Sequence, residues 1–289
     1  MKKLSKFGLG LALTCILLSF TMFGCQSRIG IDNDGDGFGQ WSVDWDKYKP
    51  VVGLPKPPQS DGEGDGDKDE LPVQPQINYS YMIKSGASSL NIRSAPSTGG
   101  SVVGSMDRGD MLRYSGEKDG WYKTVYKQKT AYVYAGNNYA NIVTMKQGGE
   151  KVEKIIAVGE ELMGYPYVWG SQRYHWGNGK LNSNFVQGEF DCSALIQYIF
   201  YHGAGVLLEL NTRTQVLQGT TVGDNDLRRG DVMFFTNADR YNKTGVERVG
   251  HVALYLGDNY ILHTASDHAV IEEISPKRWS YFIVAKRFV

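Results

Sequence analysis

The apolar positions divide the chain into four stretches. Residues 7–24 form an uncharged run of 18 residues behind Lys2, Lys3 and Lys6. A positive start before an apolar run is an export address, not part of a fold. The run is slightly short for a spanning helix, which needs ~20 residues. Over residues 26–77 the apolar pattern disappears and Gly, Asp, Pro and Gln take over, with Asp61-Gly62-Glu63-Gly64-Asp65-Gly66-Asp67 at the centre. Such a segment cannot bury enough apolar surface to offset the entropy of ordering, so a disordered linker is expected.

Short alternating runs begin at residue 78. They cover 89–93, 110–114, 121–126 and 130–134, separated by turn residues such as Asp107-Arg108-Gly109 and Lys118-Asp119-Gly120. Several short strands at this spacing predict a small β-barrel over 78–146. From 147 to 289 helical and strand periods mix. Val152, Ile155, Ile156, Val158 and Leu162 share one face of a predicted helix over 150–163, which Gly164-Tyr165-Pro166 stops. Residues 193–202 read as a second, largely buried helix. Strand-like runs follow at 232–235, 252–256, 260–264 and 282–288. A helix packed on an antiparallel sheet, the α+β class, is the expected architecture of this unit.

Composition narrows the function classes. The 289 residues carry 31 Lys/Arg and 31 Asp/Glu, so no global positive field would steer the chain to nucleic acid. The charge is uneven, however. Residues 78–146 hold nine Lys/Arg and four Asp/Glu, which would attract anionic wall polymers or simply form a solvated basic face. The 147–289 unit has a slight negative excess. Cys15, Cys25 and Cys192 are too few and too scattered for a disulfide framework or a four-cysteine zinc site. Asp32-Asn33-Asp34-Gly35-Asp36-Gly37 begins like a calcium loop, but Val43 stands at the twelfth position where a bidentate Glu is needed. An acidic linker is the preferred reading. Trp41 and Trp45 nearby fit local packing or a membrane interface equally.

Cys192 follows Phe190-Asp191 and opens the buried helix. Unpaired N–H groups at a helix start favour a thiolate, and the same groups could hold an oxyanion. Attack on a carbonyl then needs a base. Of the five histidines, His251 starts the alternating strand and His263 lies on the returning one, after Gly257-Asp258-Asn259. A three-residue loop places His263 opposite Ala253, on the face of His251 and one diagonal step, ~7–8 Å, from it. A two-residue loop places it opposite Leu254, on the other face. In the first case His251 serves as base and His263 orients it. A metal site of Cys192, His263 and His268 is disfavoured, since no tight ligand spacing such as C-x-x-C occurs; neither a metal nor another cofactor is expected.

Three resemblances extend this reading. Met22-Phe23-Gly24-Cys25 resembles a bacterial lipobox, which implies an acylated Cys25 and a lipid anchor at the outer face of the cytoplasmic membrane, with free secretion or an uncleaved anchor as alternatives. Leu90-Asn91-Ile92-Arg93-Ser94-Ala95-Pro96, Asp119-Gly120-Trp121-Tyr122-Lys123 and Thr130-Ala131-Tyr132-Val133 resemble a bacterial SH3 domain, implying wall binding or support for a catalytic partner. Four stretches resemble the NlpC-type cell-wall cysteine peptidases: Gly164-Tyr165-Pro166-Tyr167-Val168-Trp169-Gly170, Phe190-Asp191-Cys192-Ser193-Ala194-Leu195, Leu227-Arg228-Arg229-Gly230-Asp231-Val232, and Gly250-His251-Val252-Ala253-Leu254 followed by His263.

This last resemblance implies a papain-like fold that cleaves peptidoglycan stem peptides between γ-D-glutamate and a diamino acid. It implies Cys192 as nucleophile, His251 as base and His263 as third polar residue. Tyr167, Asp191, Ser193 and Thr212 then line the substrate cleft. Ala194, Ala253 and Ser171 replace glycines common in the family. The 171–189 insertion, with Tyr174, His175 and Trp176, fits a lid or an ordinary surface loop. An N-acetylmuramoyl-L-alanine amidase on the same fold and a non-catalytic wall-binding adaptor are the rival functions.

Overall fold

The computed structural model describes residues 78–289, apart from 265 and 266. The expected export address, Cys25, the expected linker, Trp41, Trp45 and the 32–36 acidic segment lie outside the described residues. The alternating runs of the first unit become eight strands: β1 (Tyr79–Ser85), β2 (Leu90–Arg93), β3 (Val102–Met106), β4 (Met111–Arg113), β5 (Glu117–Lys118), β6 (Trp121–Tyr126), β7 (Lys129–Tyr134) and β8 (Ala140–Lys146). On β6 the buried positions are Trp121, Thr124 and Tyr126. Strands β3-β2-β7-β6-β5 form one antiparallel sheet.

The second unit contains α1 (Glu150–Glu161), α2 (Cys192–Ala204), α3 (Thr212–Gln215), β9 (Thr220–Val222), β10 (Val232–Phe235), β11 (His251–Gly257), β12 (Tyr260–Thr264), β13 (Ala269–Glu273), α4 (Pro276–Ser280) and β14 (Phe282–Arg287). Helices packed on an antiparallel sheet are what the periodicity predicts. Strands β9 and β13 and helices α3 and α4 are too short to give a periodic signal, and the apolar pattern does not mark them.

The sheet does not stop at the second unit. Its order is β8-β1-β4-β13-β12-β11-β10-β14-β9, so three strands of the SH3-like stretch extend it. The join is at Met111 opposite Ile271. A second join lies at the β6–β7 turn. Lys127 and Gln128 both adopt left-handed φ, 52° and 58°. Their N–H groups donate to the carbonyls of Met163 and Glu161, at 2.9 Å each. Tyr165 donates its hydroxyl proton to Gln128 Oε1 at 2.9 Å.

Helix α2 sets the site. Asp191 caps it, its carboxylate accepting the Ala194 N–H, and Gly205 ends it with φ 66°. Leu195, Ile196, Ile199 and Phe200 are fully buried. Each such side chain is worth roughly 1.5–3 kcal/mol relative to exposure. A Cβ on Gly203 would fall 2.5 Å from Ile155 Cα, so α1 and α2 approach at backbone distance. At Gly159 a Cβ would fall 2.6 Å from Leu262 Cδ1. Leu262 pairs with Leu254, so α1 covers the Leu254–Leu262 face of the sheet. By strand alternation, His251 and His263 stand on the other face.

Candidate active site

The β11–β12 hairpin settles the register by a device that neither loop length alone describes. The turn is the two-residue Asp258-Asn259, with φ 49° and 66°. Alone, it would have turned His263 away from His251. A bulge between Tyr255 and Gly257 inserts one residue into β11, and Gly257 takes φ 92° there. Leu254 therefore pairs with Leu262 and Tyr255 with Ile261. This is the register of the three-residue loop, and it brings His263 Nδ1 to 2.9 Å from His251 Nε2.

The row continues beyond the residues the sequence singles out. His263 is wholly buried, and its Nε2 lies 3.0 Å from Oε1 of Glu272 on β13. Arg278 of α4 donates to the same oxygen at 3.2 Å. His263 pairs with Val270, so Glu272 reaches it diagonally along one sheet face. The signal for Glu272 is the short run Ala269-Val270-Ile271-Glu272, whose alternation shows only once β13 is recognised as a strand.

Cys192 is 8 % exposed, at the first position of α2, and α2 packs on β11 and β12. Its sulfur is hydrogen-bonded by backbone N–H groups of Val252 and Ser193. Val252 follows His251 directly, so the sulfur lies at the end of β11 that bears His251. Burial and the Asp191 carboxylate push the Cys192 thiol up to about 12, against those N–H groups and Arg173. The Ser193 N–H at the helix start pulls the value downward, as a helix start should, but burial outweighs it. Burial, His263 and Arg278 hold His251 well below the usual imidazole range. Both shifts favour the uncharged form of the group concerned. Alkylation of Cys192 by iodoacetamide should accordingly rise about tenfold per pH unit between about pH 6 and 10. A plateau below about pH 7 would mean a preformed thiolate and defeat this expectation.

Asp191 and Ser193 lie beside the sulfur, but they are engaged. Asp191 Oδ1 accepts Ala194 N at 2.8 Å and Ser193 Oγ at 3.0 Å, and Oδ2 accepts Arg173 Nη2 at 2.9 Å. Arg173 also donates to Ser193 Oγ at 3.0 Å and to the carbonyls of Ser171 and Leu210. Arg173 sits in the insertion, where no sequence motif marks it. Tyr167 stands near the thiol: burial raises its phenol pKa, and Cys192 and Asp191 add to that. Thr212 opens α3, whose Gln215 Nε2 grips the Ser193 carbonyl at 3.0 Å. The insertion is pinned to α2 as well. Gln197 exchanges hydrogen bonds with the His175 backbone at 3.4 and 3.2 Å, and Tyr174 packs edge-on to Tyr198 and Phe185.

Among the described residues, no group of three or more His, Cys, Asp or Glu side chains is placed to hold a metal ion. A separate hollow of about 420 Å³ lies on the SH3-like part, lined by Trp121, Tyr134, Tyr139, Arg93 and Ser89 among others.

A helix-end cysteine set against an antiparallel sheet that carries a His–His–Glu row has the parts of a cysteine hydrolase. Residues 164–287 match the NlpC/P60 family, and residues 88–138 match the bacterial SH3 domain. The chain thus contains an NlpC/P60 domain preceded by a bacterial SH3 domain. The peptidoglycan DL-endopeptidase CwlO of Bacillus licheniformis is 29 % identical over 145 residues, covering 49 % of this chain and 29 % of that protein. The peptidoglycan endopeptidase RipB of Mycobacterium tuberculosis is 31 % identical over 144 residues, covering 50 % of this chain and 55 % of that protein. The crystal structure of an NlpC/P60 family protein from Bacillus cereus aligns with a TM-score of 0.38 at 20 % identity, covering 72 % of this chain and 63 % of that one. The chain spans roughly a quarter to a half of the length of the curated relatives it matches.

Proposed function

We propose that this protein is an exported, membrane-tethered peptidoglycan hydrolase that cuts stem peptides between γ-D-glutamate and the diamino acid by a Cys–His thiol mechanism. The observation that carries the proposal is the 2.9 Å His251–His263 contact at the strand end where the Cys192 sulfur meets the Val252 N–H. The two relatives' names, both peptidoglycan endopeptidases and one a DL-endopeptidase, support the substrate and the bond.

Cys192 Sγ attacks the amide carbonyl as its proton passes to His251. N–H groups of the first turn of α2 receive the oxyanion. The imidazolium then protonates the departing amine, leaving a thioester on Cys192. Water, deprotonated by His251, attacks that thioester and releases the carboxylate product and the free thiol. Tyr167, Asp191, Ser193 and Thr212 bound the cleft, with Asp191 acting chiefly through its hold on the helix start.

The SH3 domain serves as the wall contact. Its excess of Lys/Arg favours anionic polymers, and its aromatic hollow offers a surface for them to rest on. Acylation of Cys25 provides the tether and places the enzyme at the outer face of the cytoplasmic membrane, in the cell wall. Among the described residues no helix is long and apolar enough to cross a membrane.

Digestion of purified wall followed by mass spectrometry tests the bond. Fragments with newly freed diamino-acid amines are expected. Free muramyl lactyl groups would instead assign the amidase, and an unaltered wall would assign a binding adaptor.

A further inference from the structure

We infer that Glu272 is a positioning residue that fixes the tautomers of both histidines and so leaves His251 Nδ1 bare to receive the Cys192 proton. The inference rests on the peptidase reading of Cys192 and His251.

A carboxylate only accepts hydrogen bonds. At 3.0 Å from Glu272 Oε1, His263 Nε2 must therefore carry the proton. Burial pushes the Glu272 pKa up, but the bond from His263, its charge and Arg278 prevail and hold it below the usual range. Burial lowers the His263 pKa, the bond to Glu272 notwithstanding. In that neutral ring a protonated Nε2 leaves Nδ1 as an acceptor. The atom 2.9 Å away is His251 Nε2, which must then donate. In a neutral His251 this leaves Nδ1 without a proton, as a general base requires. Reversing the row would place a proton on His251 Nδ1 and block the transfer from sulfur. The row could run either way between two imidazoles alone; the carboxylate at its end sets the direction.

The surroundings suit that task. Glu272, His263 and His251 occupy three neighbouring strands, β13, β12 and β11, on one face, each joined to the next by a diagonal contact. Arg278 holds Glu272 Oε1 from α4 at 3.2 Å, and its guanidinium lies 5.9 Å from the Phe235 ring centre. Phe235 in turn stands 6.1 Å from the His251 ring. The other charged or titratable groups acting on the pair are His268 at the start of β13 and Asp110 before β4. The Glu272 side chain is 31 % exposed. Its bond to a fully buried ring is therefore the feature that sets it apart from a surface ion pair.

The test uses the full chain with ¹⁵N-labelled histidine. Ring ¹⁵N shifts and couplings report which nitrogen is protonated, without reference to activity. Both His251 and His263 should be Nε2–H in the unaltered protein. In Glu272→Gln the amide can accept or donate, and in Glu272→Leu the side chain can do neither; a His251 Nδ1–H population should appear in both. kcat on soluble muropeptides should fall by at least about tenfold with KM little changed. Glu272→Gln is nearly isosteric, so its amide dispersion should match the unaltered protein. Nε2–H signals unchanged in both variants, or a His263 Nδ1–H in the unaltered protein, would overturn the inference. The peptidase reading fails on a different result, undiminished wall cleavage by a Cys192 variant, which leaves the tautomer measurement standing.

Discussion

Cys192→Ala should lower kcat for wall digestion by at least about 10⁴-fold while leaving KM within about twofold. On the proposed thiol mechanism, covalent catalysis has no substitute. What remains is oxyanion stabilisation and binding, which typically retain only a small part of the rate enhancement. The fold should survive. Cys192 occupies a small volume at the mouth of α2, and the cap on Asp191 does not involve its sulfur. Loss of a buried sulfur costs on the order of 1 kcal/mol. Turbidity loss of purified walls, read beside the circular dichroism of the same sample, separates chemistry from folding. Clearing by Cys192→Ala at the unaltered rate would sink the thiol mechanism, because the wall would then be cut without the sulfur.

Asp191→Ala should destabilise the protein by about 3–5 kcal/mol. Two effects combine. The first turn of α2 loses its cap, worth about 1 kcal/mol. The Arg173 guanidinium loses its carboxylate while 14 % exposed, and leaving that buried charge uncompensated costs more than the lost cap. Arg173 would still have the carbonyls of Ser171 and Leu210, which keeps the cost within that range. Urea unfolding gives the loss directly. Adding Arg173→Met should restore part of it, because the orphaned cation is removed as well. A change below about 0.5 kcal/mol in the single variant would show that the pair contributes little. Removing Asp191 also withdraws a negative charge from beside the sulfur, so iodoacetamide should alkylate Cys192 faster in whatever fraction remains folded.

The sequence is most informative where periodicity is long. Helices α1 and α2 and strands β10, β11, β12 and β14 follow from apolar spacing and end within a few residues of expectation. Cys192 at the helix start is legible because Phe190-Asp191 precedes a largely apolar run, interrupted only by Ser193 and Gln197 before His202. The histidine pair is only half legible. Gly257-Asp258-Asn259 permits two registers, and the bulge that decides between them depends on cross-strand packing that a single strand cannot display. Glu272 escapes because β13 is five residues long and its partners come from both sides, β12 and β4. The thiol pKa runs against expectation for a related reason. A helix start is visible in sequence, but the enclosure that raises the value to about 12 is built by distant segments. Arg173 lies 18 residues from Asp191 in the chain, and nothing local marks the two as partners.

The single sheet from β8 to β9 ties the SH3-like part of the molecule to the strands that carry the candidate site. Strand β13, which bears Glu272, has β12 on one side and β4 on the other through Met111 and Ile271. Cutting the chain between the two parts would leave β13 as a bare margin with unpaired amides, a template for fibrous self-association. It would also loosen the strand whose Glu272 contacts His263. The SH3-like part is therefore built into the sheet that carries the candidate site, and inheritance or engineering that exchanges it must preserve that seam.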